Sequence, residues 1–380
     1  MLFILLLANM TAEYRLLAEI SEVLFYSILA ISTFVIILNL KTLALSLRNV
    51  AEIKWLIFVY IIAMLFFQFS FLSSDIILYT ITKVIVFGTI TLSIYYNYDF
   101  YFKKAPVIFS YIILILIALG WFVNKTGEYD VPVFGFANRN VACTIATAGV
   151  AGFLFMRDRI RSSDFLFMAV LIITILYGGS RNAFAMCILI IIIRYGFSFK
   201  IVVAGALILG LVTFLLPEFG MEANAYDRLV GTIDGSVSTD REEVREIAKK
   251  MIAMRPWTGW GYNYSVPKYL GINLGAHNGY LATIVNLGYP CGLMVLAIIV
   301  IGSIKRLRLY KIGNKAINYY IAILISTLFA ANQESYLIGV NQFTTNYFFV
   351  AFVVLGAYRY KYQGAAKNKD KYDNAKLYCN

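Results

Sequence analysis

Long apolar segments, separated by short polar ones, make up most of this 380-residue chain. A helix needs about 20 apolar residues to cross the hydrocarbon core of a bilayer, so each segment is a candidate membrane-spanning helix. The candidate spans cover residues 23–40, 55–72, 75–95, 105–123, 140–156, 165–179, 182–195, 200–216, 279–301, 316–331 and 344–358. The pattern predicts an all-α protein, a polytopic transmembrane helix bundle with about 11–12 spans.

Two short segments depart from the regular pattern of spans. Residues 178–181 (GGSR) separate two unusually short apolar runs, and we expect a tight turn at the membrane surface there. Residues 1–10 are apolar but lack a basic region, which argues against a cleaved signal peptide. We expect a partial or interfacial helix instead. Whether residues 1–20 cross the bilayer stays open, and a crossing would make the number of spans twelve.

The composition supports a chain that faces lipid. Hydrophobic residues make up 61% of the chain and charged residues 14%, and the mean hydropathy is +0.75. Soluble domains carry roughly 25% charged residues, so this polar material is too little to cover a soluble protein of this size. The net charge of +12 is accounted for by lysines and arginines in cytoplasmic loops, and nucleic acid is not an expected partner.

The distribution of lysine and arginine orients the chain in the membrane. When the basic tail is placed in the cytoplasm, the other loops rich in lysine and arginine fall on the same side, as the positive-inside rule requires. The long polar loop then lies on the opposite, non-cytoplasmic side. The predicted parts are the N-terminal transmembrane helices 1–216, a loop with catalytic residues 217–278, the C-terminal transmembrane helices 279–358 and a basic cytoplasmic tail 359–380.

The 217–278 loop contains one clearly signalled helix. Thr239 is a candidate N-cap with Glu242 three residues later, which is the arrangement of a capping box. Apolar residues follow at helical spacing, at Val244, Ile247, Ala248, Met251 and Ile252. Pro256 ends the helix. Arg241 borders the apolar stripe, whereas we expect Arg245 on the solvated face.

His277 is the only histidine, and its side chain is the type whose ordinary pKa lies near neutrality. It lies beside Asn278, where the polar loop re-enters the membrane. The residue is therefore either an interfacial histidine with a satisfied hydrogen bond or a general base. The four cysteines show no CxxC spacing, and one histidine with scattered carboxylates is a poor ligand set, so no metal is expected.

Several arginines fall on the same predicted face as His277. Arg181 follows two glycines at a helix start, where a guanidinium and free backbone N–H groups suit a phosphate. Arg139, Arg241 and Arg255 lie on this face too. Glu334, in the short loop before the last span, is a candidate arginine partner or sugar ligand. For each residue the alternative is an ordinary interfacial or solvated side chain.

These groups together suit a membrane-bound diphosphate and a hydroxyl that must be deprotonated. The chain has no phosphate-binding glycine loop with a lysine, no DxD carboxylate pair and no GxSxG motif, so nothing indicates the use of ATP. Lys83 differs from the other cations because it lies within a predicted span. It either neutralises a buried partner or extends to the interface.

The chain resembles the O-antigen ligase/polymerase superfamily in four segments that occur in order. The segments are residues 135–140 (GFANRN), residues 179–183 (GSRNA), Arg241 with residues 255–262 (RPWTGWGY), and residues 277–281 (HNGYL) continuing to 286–292 (NLGYPCG). The hydropathy plan extends the resemblance to most of the chain.

This resemblance implies a metal-independent glycosyltransferase without a cofactor, working at the periplasmic face of the bacterial inner membrane. Its donor would be an undecaprenyl-diphosphate-linked oligosaccharide. The arginines matching Arg181 and Arg241 would bind the diphosphate and stabilise the leaving group. The histidine matching His277 would act as base or orient the acceptor hydroxyl. The expected substrate-binding residues are Arg139, Arg255, Asn278 and Glu334.

Three functions stay open. A polymerase would join lipid-linked repeat units, and we favour it because the compact chain, rich in Phe, Tyr and Ile, has one modest loop. A ligase would transfer the glycan to lipid A–core. A transporter or flippase for lipid-linked glycans would more usually show internal repeats and charges within spans. The expected partners are the lipid-linked oligosaccharide, membrane lipid and, by analogy with the family, a chain-length regulator protein.

Overall fold

The computed structural model describes residues 1–123, 133–136, 138–156, 161–196, 240–262, 277–310 and 314–360. Over these ranges the chain is helical and contains no β-strand, apart from one isolated bridge between Tyr14 and Phe136. The predicted all-α architecture is confirmed. The predicted span 200–216, the N-cap Thr239 and the tail from residue 361 lie outside the described residues.

Thirteen helices are labelled here in chain order within the described ranges. They are α1 Leu2–Ala12, α2 Ala18–Leu38, α3 Leu40–Asn49, α4 Ala51–Ile62, α5 Ser74–Tyr96, α6 Ala105–Val123, α7 Arg139–Met156, α8 Ser162–Tyr177, α9 Arg181–Tyr195, α10 Asp240–Met254, α11 Gly279–Leu307, α12 Lys315–Ala330 and α13 Phe343–Tyr358. A π-helical turn, Ala63–Phe67, continues α4, and another, Phe100–Lys104, precedes α6.

Within the described residues, five helices are long and apolar enough to cross a membrane. They are Arg15–Leu38, Ser74–Tyr96, Phe100–Val123, Arg139–Met156 and Gly279–Leu307. The apolar helices α8, α12 and α13 are shorter than a full span, and their bounds agree with the predicted ones. The protein is a multi-pass membrane protein, because helices of this length and composition need lipid around them.

Helix α3 was not predicted. It is joined to the segment Ala51–Phe67 by a bend of 114°. One face of α3 is exposed and carries Lys41, Leu45 and Arg48 at helical spacing. A stripe that mixes apolar and basic side chains has too low an average hydropathy to be found by a search for apolar runs.

Helix α1 is a short helix buried inside the bundle. Its residues Leu2, Leu5 and Leu6 have no exposed surface, and the helix packs on α2 and α13. With 11 residues, α1 is too short to cross a bilayer. The partial helix predicted for this segment is therefore present, as an internal element of the bundle.

The loop between α12 and α13, residues 331–342, is non-helical backbone surrounded by helices. Its carbonyl groups accept hydrogen bonds from side chains: Tyr79 donates to Ile338 (2.8 Å), Lys83 to Gly339 (2.7 Å) and Asn346 to Val340 (2.8 Å). The side chain of Asn341 accepts from Asn9 of α1 at 2.7 Å. Buried non-helical backbone needs partners of this kind, because an unpaired buried carbonyl is costly.

Lys83 is fully buried in this arrangement. Its ammonium lies between the rings of Phe87 and Phe349, 5.6 and 5.4 Å from their centroids, and donates to the carbonyl of Gly339. The side chain therefore supports the α12–α13 loop from within the bundle and does not extend to the interface.

Candidate active site

His277 lies directly before α11, and its imidazole faces a carboxylate. Its Nδ1 is 3.6 Å from Oε2 of Glu334 in the α12–α13 loop, and the two side chains are 19% and 14% exposed. The backbone of His277 has φ 44°, a left-handed conformation that non-glycine residues rarely adopt. Strained backbone of this kind is concentrated at functional sites, where the surrounding structure maintains it.

Asn278 fixes the start of α11 next to the histidine. Its Oδ1 accepts from the backbone N–H groups of Tyr280 and Leu281, as an N-cap does. Its Nδ2 donates to the backbone carbonyl and to Oδ1 of Asn332, both at 3.2 Å. The same amide thus orders the start of the helix that follows His277 and the loop that carries Glu334.

Glu334 is also held by α7. Its Oε1 accepts a hydrogen bond of 3.0 Å from Nδ2 of Asn140. One helical turn later, Thr144 makes a 2.9 Å hydrogen bond with the hydroxyl of Tyr336. Burial raises the pKa of Tyr336 well above its usual range, and the charge of Glu334 raises it further. The carboxylate is therefore oriented by an amide and has a neutral phenol close by.

Arg139 precedes Asn140 at the start of α7. Its side chain is partly exposed, and its Nη1 is buried without a hydrogen-bond partner among the described residues. The turn between α1 and α2 holds the preceding segment, because the N–H of Arg15 donates to the carbonyl of Gly135 at 2.8 Å. This segment thereby gives α7 a defined starting point at the site.

Arg181 begins α9 after the predicted tight turn. Gly179 has φ 60°, and the side chain of Ser180 caps the helix. The next residue, Asn182, donates to the carbonyl of Ala330 at 3.3 Å. The neighbouring carbonyl of Ala331 accepts from Gly279, two residues after His277. The start of α9 and the start of α11 therefore meet at the end of α12.

The predicted apolar face of the loop helix α10 packs on α11. Val244, Ala248 and Met251 are buried against Ala282 and Val285. Arg241 lies in the first turn of α10, and its side chain is outside the described part of the chain. The helix that carries Arg241 is thus docked on the helix that begins directly after His277 and Asn278.

The expectation that Arg245 lies on the solvated face of α10 is wrong. Its Nη2 donates to the carbonyl of Asn332 at 3.0 Å and to Oε1 of Gln333 at 3.1 Å, and its Nε is buried. Arg245 is one turn from Arg241 and reaches the loop that carries Glu334. The apolar stripe identified the buried face of α10, but not the loop lying along its edge.

Residues 255–262 form a turn that docks on a kink in α11. Pro290 has no N–H, so the carbonyl of Asn286 lacks its usual helical donor. That carbonyl accepts instead from Gly261 at 3.0 Å and from the side chain of Gln68 at 2.7 Å. At the same kink, Trp260 donates to the carbonyl of Val285 at 2.8 Å. The third and fourth resemblance segments therefore pair with each other.

Arg255 belongs to this docked turn. Its guanidinium lies over the rings of Phe71 and Trp260, 4.9 and 4.3 Å from their centroids. The described contacts of the Arg255 guanidinium are thus with aromatic rings. They do not include His277, Asn278 or Glu334, which meet at the α12–α13 loop. The predicted role of Arg255 in substrate binding stays a prediction.

Of the predicted site residues, the structure brings His277, Asn278 and Glu334 together, with Arg139 beside Asn140 on α7 and Arg181 at the adjoining end of α9. Residues that were not singled out from the sequence also belong to this region: Asn140, Arg245, Gln333 and Tyr336. Asn140 could have been found, since it ends the segment 135–140. Within the described residues, no group of three or more His, Cys, Asp or Glu side chains is arranged to hold a metal ion.

Comparison with protein families identifies a region that includes Arg181, Arg245, His277 and Asn278. Residues 166–297 match the family model Wzy_C, described as O-Antigen ligase. The match runs from α8 into α11, and a comparison with curated proteins finds no match. Members of the matched family are glycosyltransferase-like enzymes, ligases or polymerases. The resemblance to the O-antigen ligase/polymerase superfamily is therefore confirmed over residues 166–297.

Proposed function

We propose that this protein is an O-antigen polymerase that joins undecaprenyl-diphosphate-linked oligosaccharide repeat units at the periplasmic face of the inner membrane. The observation that carries the proposal is the pairing of the lone imidazole with a carboxylate, His277 Nδ1 to Glu334 Oε2 at 3.6 Å. The matched family supplies the class of reaction, glycosyl transfer.

The pairing assigns roles to the two imidazole nitrogens. With Glu334 facing Nδ1, the neutral imidazole carries its proton on Nδ1 and leaves Nε2 free to accept one. The separation of 3.6 Å is longer than a hydrogen bond, and such contacts commonly shorten when substrate binds. His277 then takes the proton of the acceptor hydroxyl, and Glu334 stabilises the imidazolium that forms.

The reaction is a single displacement at the anomeric carbon. The acceptor oxygen forms a bond to that carbon, its proton passes to Nε2 of His277, and the bond from the anomeric carbon to the phosphate oxygen breaks. The electron pair of the broken bond leaves with the lipid diphosphate. One displacement inverts the configuration of the anomeric carbon.

Arginines stabilise the departing diphosphate. Arg181 lies in the first turn of α9, where backbone N–H groups and the helix dipole add to its charge. Arg241 is carried by α10, which packs on α11. Because a diphosphate is already a good leaving group, cationic stabilisation and one base account for the chemistry without a metal ion.

The second candidate function is ligation of the glycan to lipid A–core. The observation that favours it is the description of the matched family, O-Antigen ligase. Both enzymes use the same donor chemistry and differ in the acceptor. A strain that lacks the protein distinguishes them, because loss of a polymerase leaves core with one repeat unit, whereas loss of a ligase leaves core with no repeat unit.

The direct test is incubation of the purified protein with a defined diphospholipid-linked repeat unit, with and without lipid A–core, followed by analysis of product mass and linkage. A polymerase gives a ladder of lipid-linked products without lipid A–core. A ligase forms a new bond only when lipid A–core is present. Absence of a glycosidic bond under both conditions, together with movement of the lipid-linked glycan across vesicle membranes, would show a flippase and overturn the proposal.

A further inference from the structure

We propose that Arg245 is a positioning residue for this site: it holds the α12–α13 loop so that Glu334 faces His277. The inference rests on the proposed function and adds a residue outside the four resemblance segments. Nη2 of Arg245 bridges the carbonyl of Asn332 and Oε1 of Gln333, at 3.0 and 3.1 Å. Those two residues immediately precede Glu334.

The helix that carries Arg245 is held in place by packing against α11. Val244 and Ala248, on either side of Arg245 along α10, are 2% and 0% exposed and pack against α11. Ile338 of the α12–α13 loop packs against the same cluster. Because buried residues on both sides of Arg245 fix the backbone of α10, Arg245 holds a defined position relative to the loop.

Hydrogen bonds to Asn332 connect three elements of the structure. Its carbonyl accepts from Arg245 of α10 and from Asn278 at the start of α11, and its own backbone belongs to the loop. Removing Arg245 leaves Asn278 as the described side chain that bonds to this residue. The loop then has more freedom two residues before Glu334, and a misplacement of about 1 Å can cost 100-fold in rate.

Direct binding of substrate phosphate by Arg245 is the less favoured role. One end of its guanidinium is engaged by Asn332 and Gln333, and its Nε is buried. A planar guanidinium suits the two acceptors because it presents donors in a fixed geometry, which a lysine ammonium does not. The arrangement therefore predicts an effect on turnover and on the pH profile, without loss of donor affinity.

The experiment is a double-mutant cycle in the purified full-length protein, with Arg245→Ala, Glu334→Gln and the double variant assayed on a defined diphospholipid-linked repeat unit. We expect Arg245→Ala to lower kcat about 10- to 100-fold, with KM changed less than about 2-fold, and to shift the pH profile of kcat. We expect the double variant to be no slower than Glu334→Gln, because both changes act on the same carboxylate.

The matched control is Lys249→Ala, one turn later on α10, whose side chain is 60% exposed and pairs with Glu246. It should retain the wild-type rate. Additive losses of rate in the double variant, or an unshifted pH profile of kcat, would show a merely structural role for Arg245. An increase in KM alone would show that Arg245 binds substrate. Each of these results overturns the inference. If Arg245→Ala does not fold, Arg245→Lys and Gln333→Ala replace it in the double-mutant cycle with Glu334→Gln, and the same outcomes test the inference.

Failure of this inference can be told apart from failure of the proposed function. If the wild-type protein forms no glycosidic bond, the proposed function fails and the inference fails with it. If the wild-type protein is active and Arg245→Ala equals it in kcat and pH profile, the positioning role alone is wrong.

Discussion

The backbones of Gly259 and Gly288 lie directly against each other. A Cβ atom on Gly259 would lie 2.4 Å from the Gly288 nitrogen, and a Cβ on Gly288 would lie 2.5 Å from the carbonyl oxygen of Trp257. Both glycines have positive φ, 63° and 69°. This contact joins the turn that follows α10 to the kink in α11, and so it holds the loop helix on the bundle.

Gly288→Ala should therefore release the docked turn. The added methyl meets backbone, which cannot move aside as a flexible side chain can, and the positive φ adds a cost of about 1 kcal/mol or more. We expect a lower melting temperature in detergent and at least a tenfold loss of polymer formation. Loss of activity is expected because α10 carries Arg241 and Arg245.

The variant Gly196→Ala is a control that tests the cost of positive φ without a steric clash. Gly196 also has positive φ, 80°, but no atom of the described residues lies within 4 Å of an added Cβ. This variant should lose about 1 kcal/mol of stability and keep its activity. A Gly288→Ala protein that behaves like Gly196→Ala would contradict the proposed importance of the contact.

His277→Ala should abolish polymer while the protein still inserts in the membrane, because loss of a general base costs about 10²- to 10⁴-fold. Glu334→Gln keeps the shape of the side chain but removes the charge that stabilises the imidazolium, and a loss of about 10- to 100-fold is expected. Chain-length distribution on gels and initial rates in detergent measure both. An unchanged distribution for His277→Ala would rule out a catalytic role.

Arg181→Ala and Arg241→Ala should both be inactive, since each removes a cation assigned to the leaving diphosphate. The measurement is turnover of a diphospholipid-linked repeat unit, with Lys249→Ala as a control that removes an exposed cation from α10. Lysine at either position should restore part of the rate, because it restores charge without the planar geometry. Wild-type turnover in both alanine variants would remove the case for a diphosphate site.

Glu13, in the turn between α1 and α2, should make stability depend on pH. Burial raises the pKa of its carboxyl from 4.5 to about 7. Between these values the folded protein binds more protons than the unfolded chain, so stability falls as pH rises from about 4.5 to about 7 and then levels off. The stabilisation by the neutral carboxyl is fully present only at the acidic end.

Glu13→Gln keeps the group neutral at every pH, so it should raise the melting temperature at pH 8 and have little effect at pH 4.5. Thermal unfolding in detergent across this range measures the effect. Glu19→Gln, at an exposed position in the first turn of α2, is the control. An identical pH dependence in wild type and Glu13→Gln would contradict the prediction.

Most of the helices, their membrane location and the apolar face of the loop helix could be predicted from the amino-acid sequence alone. These are local properties, because the length of an apolar run and the spacing of its residues can be read without knowing what packs against them. The sequence also identified His277 as the lone imidazole and Arg181 at a helix start. Helix α3 was missed, since its mixed face has no long apolar run.

Which side chains come into contact at the site depends on how the helices pack. Glu334 faces His277 although all of α11 and all of α12 separate them in sequence, and Asn140 reaches that carboxylate from α7. Periodicity shows that a helix has a buried face, but it does not name the element beyond that face. For this reason Arg245 was expected in solvent, although it bonds to the loop that carries Glu334.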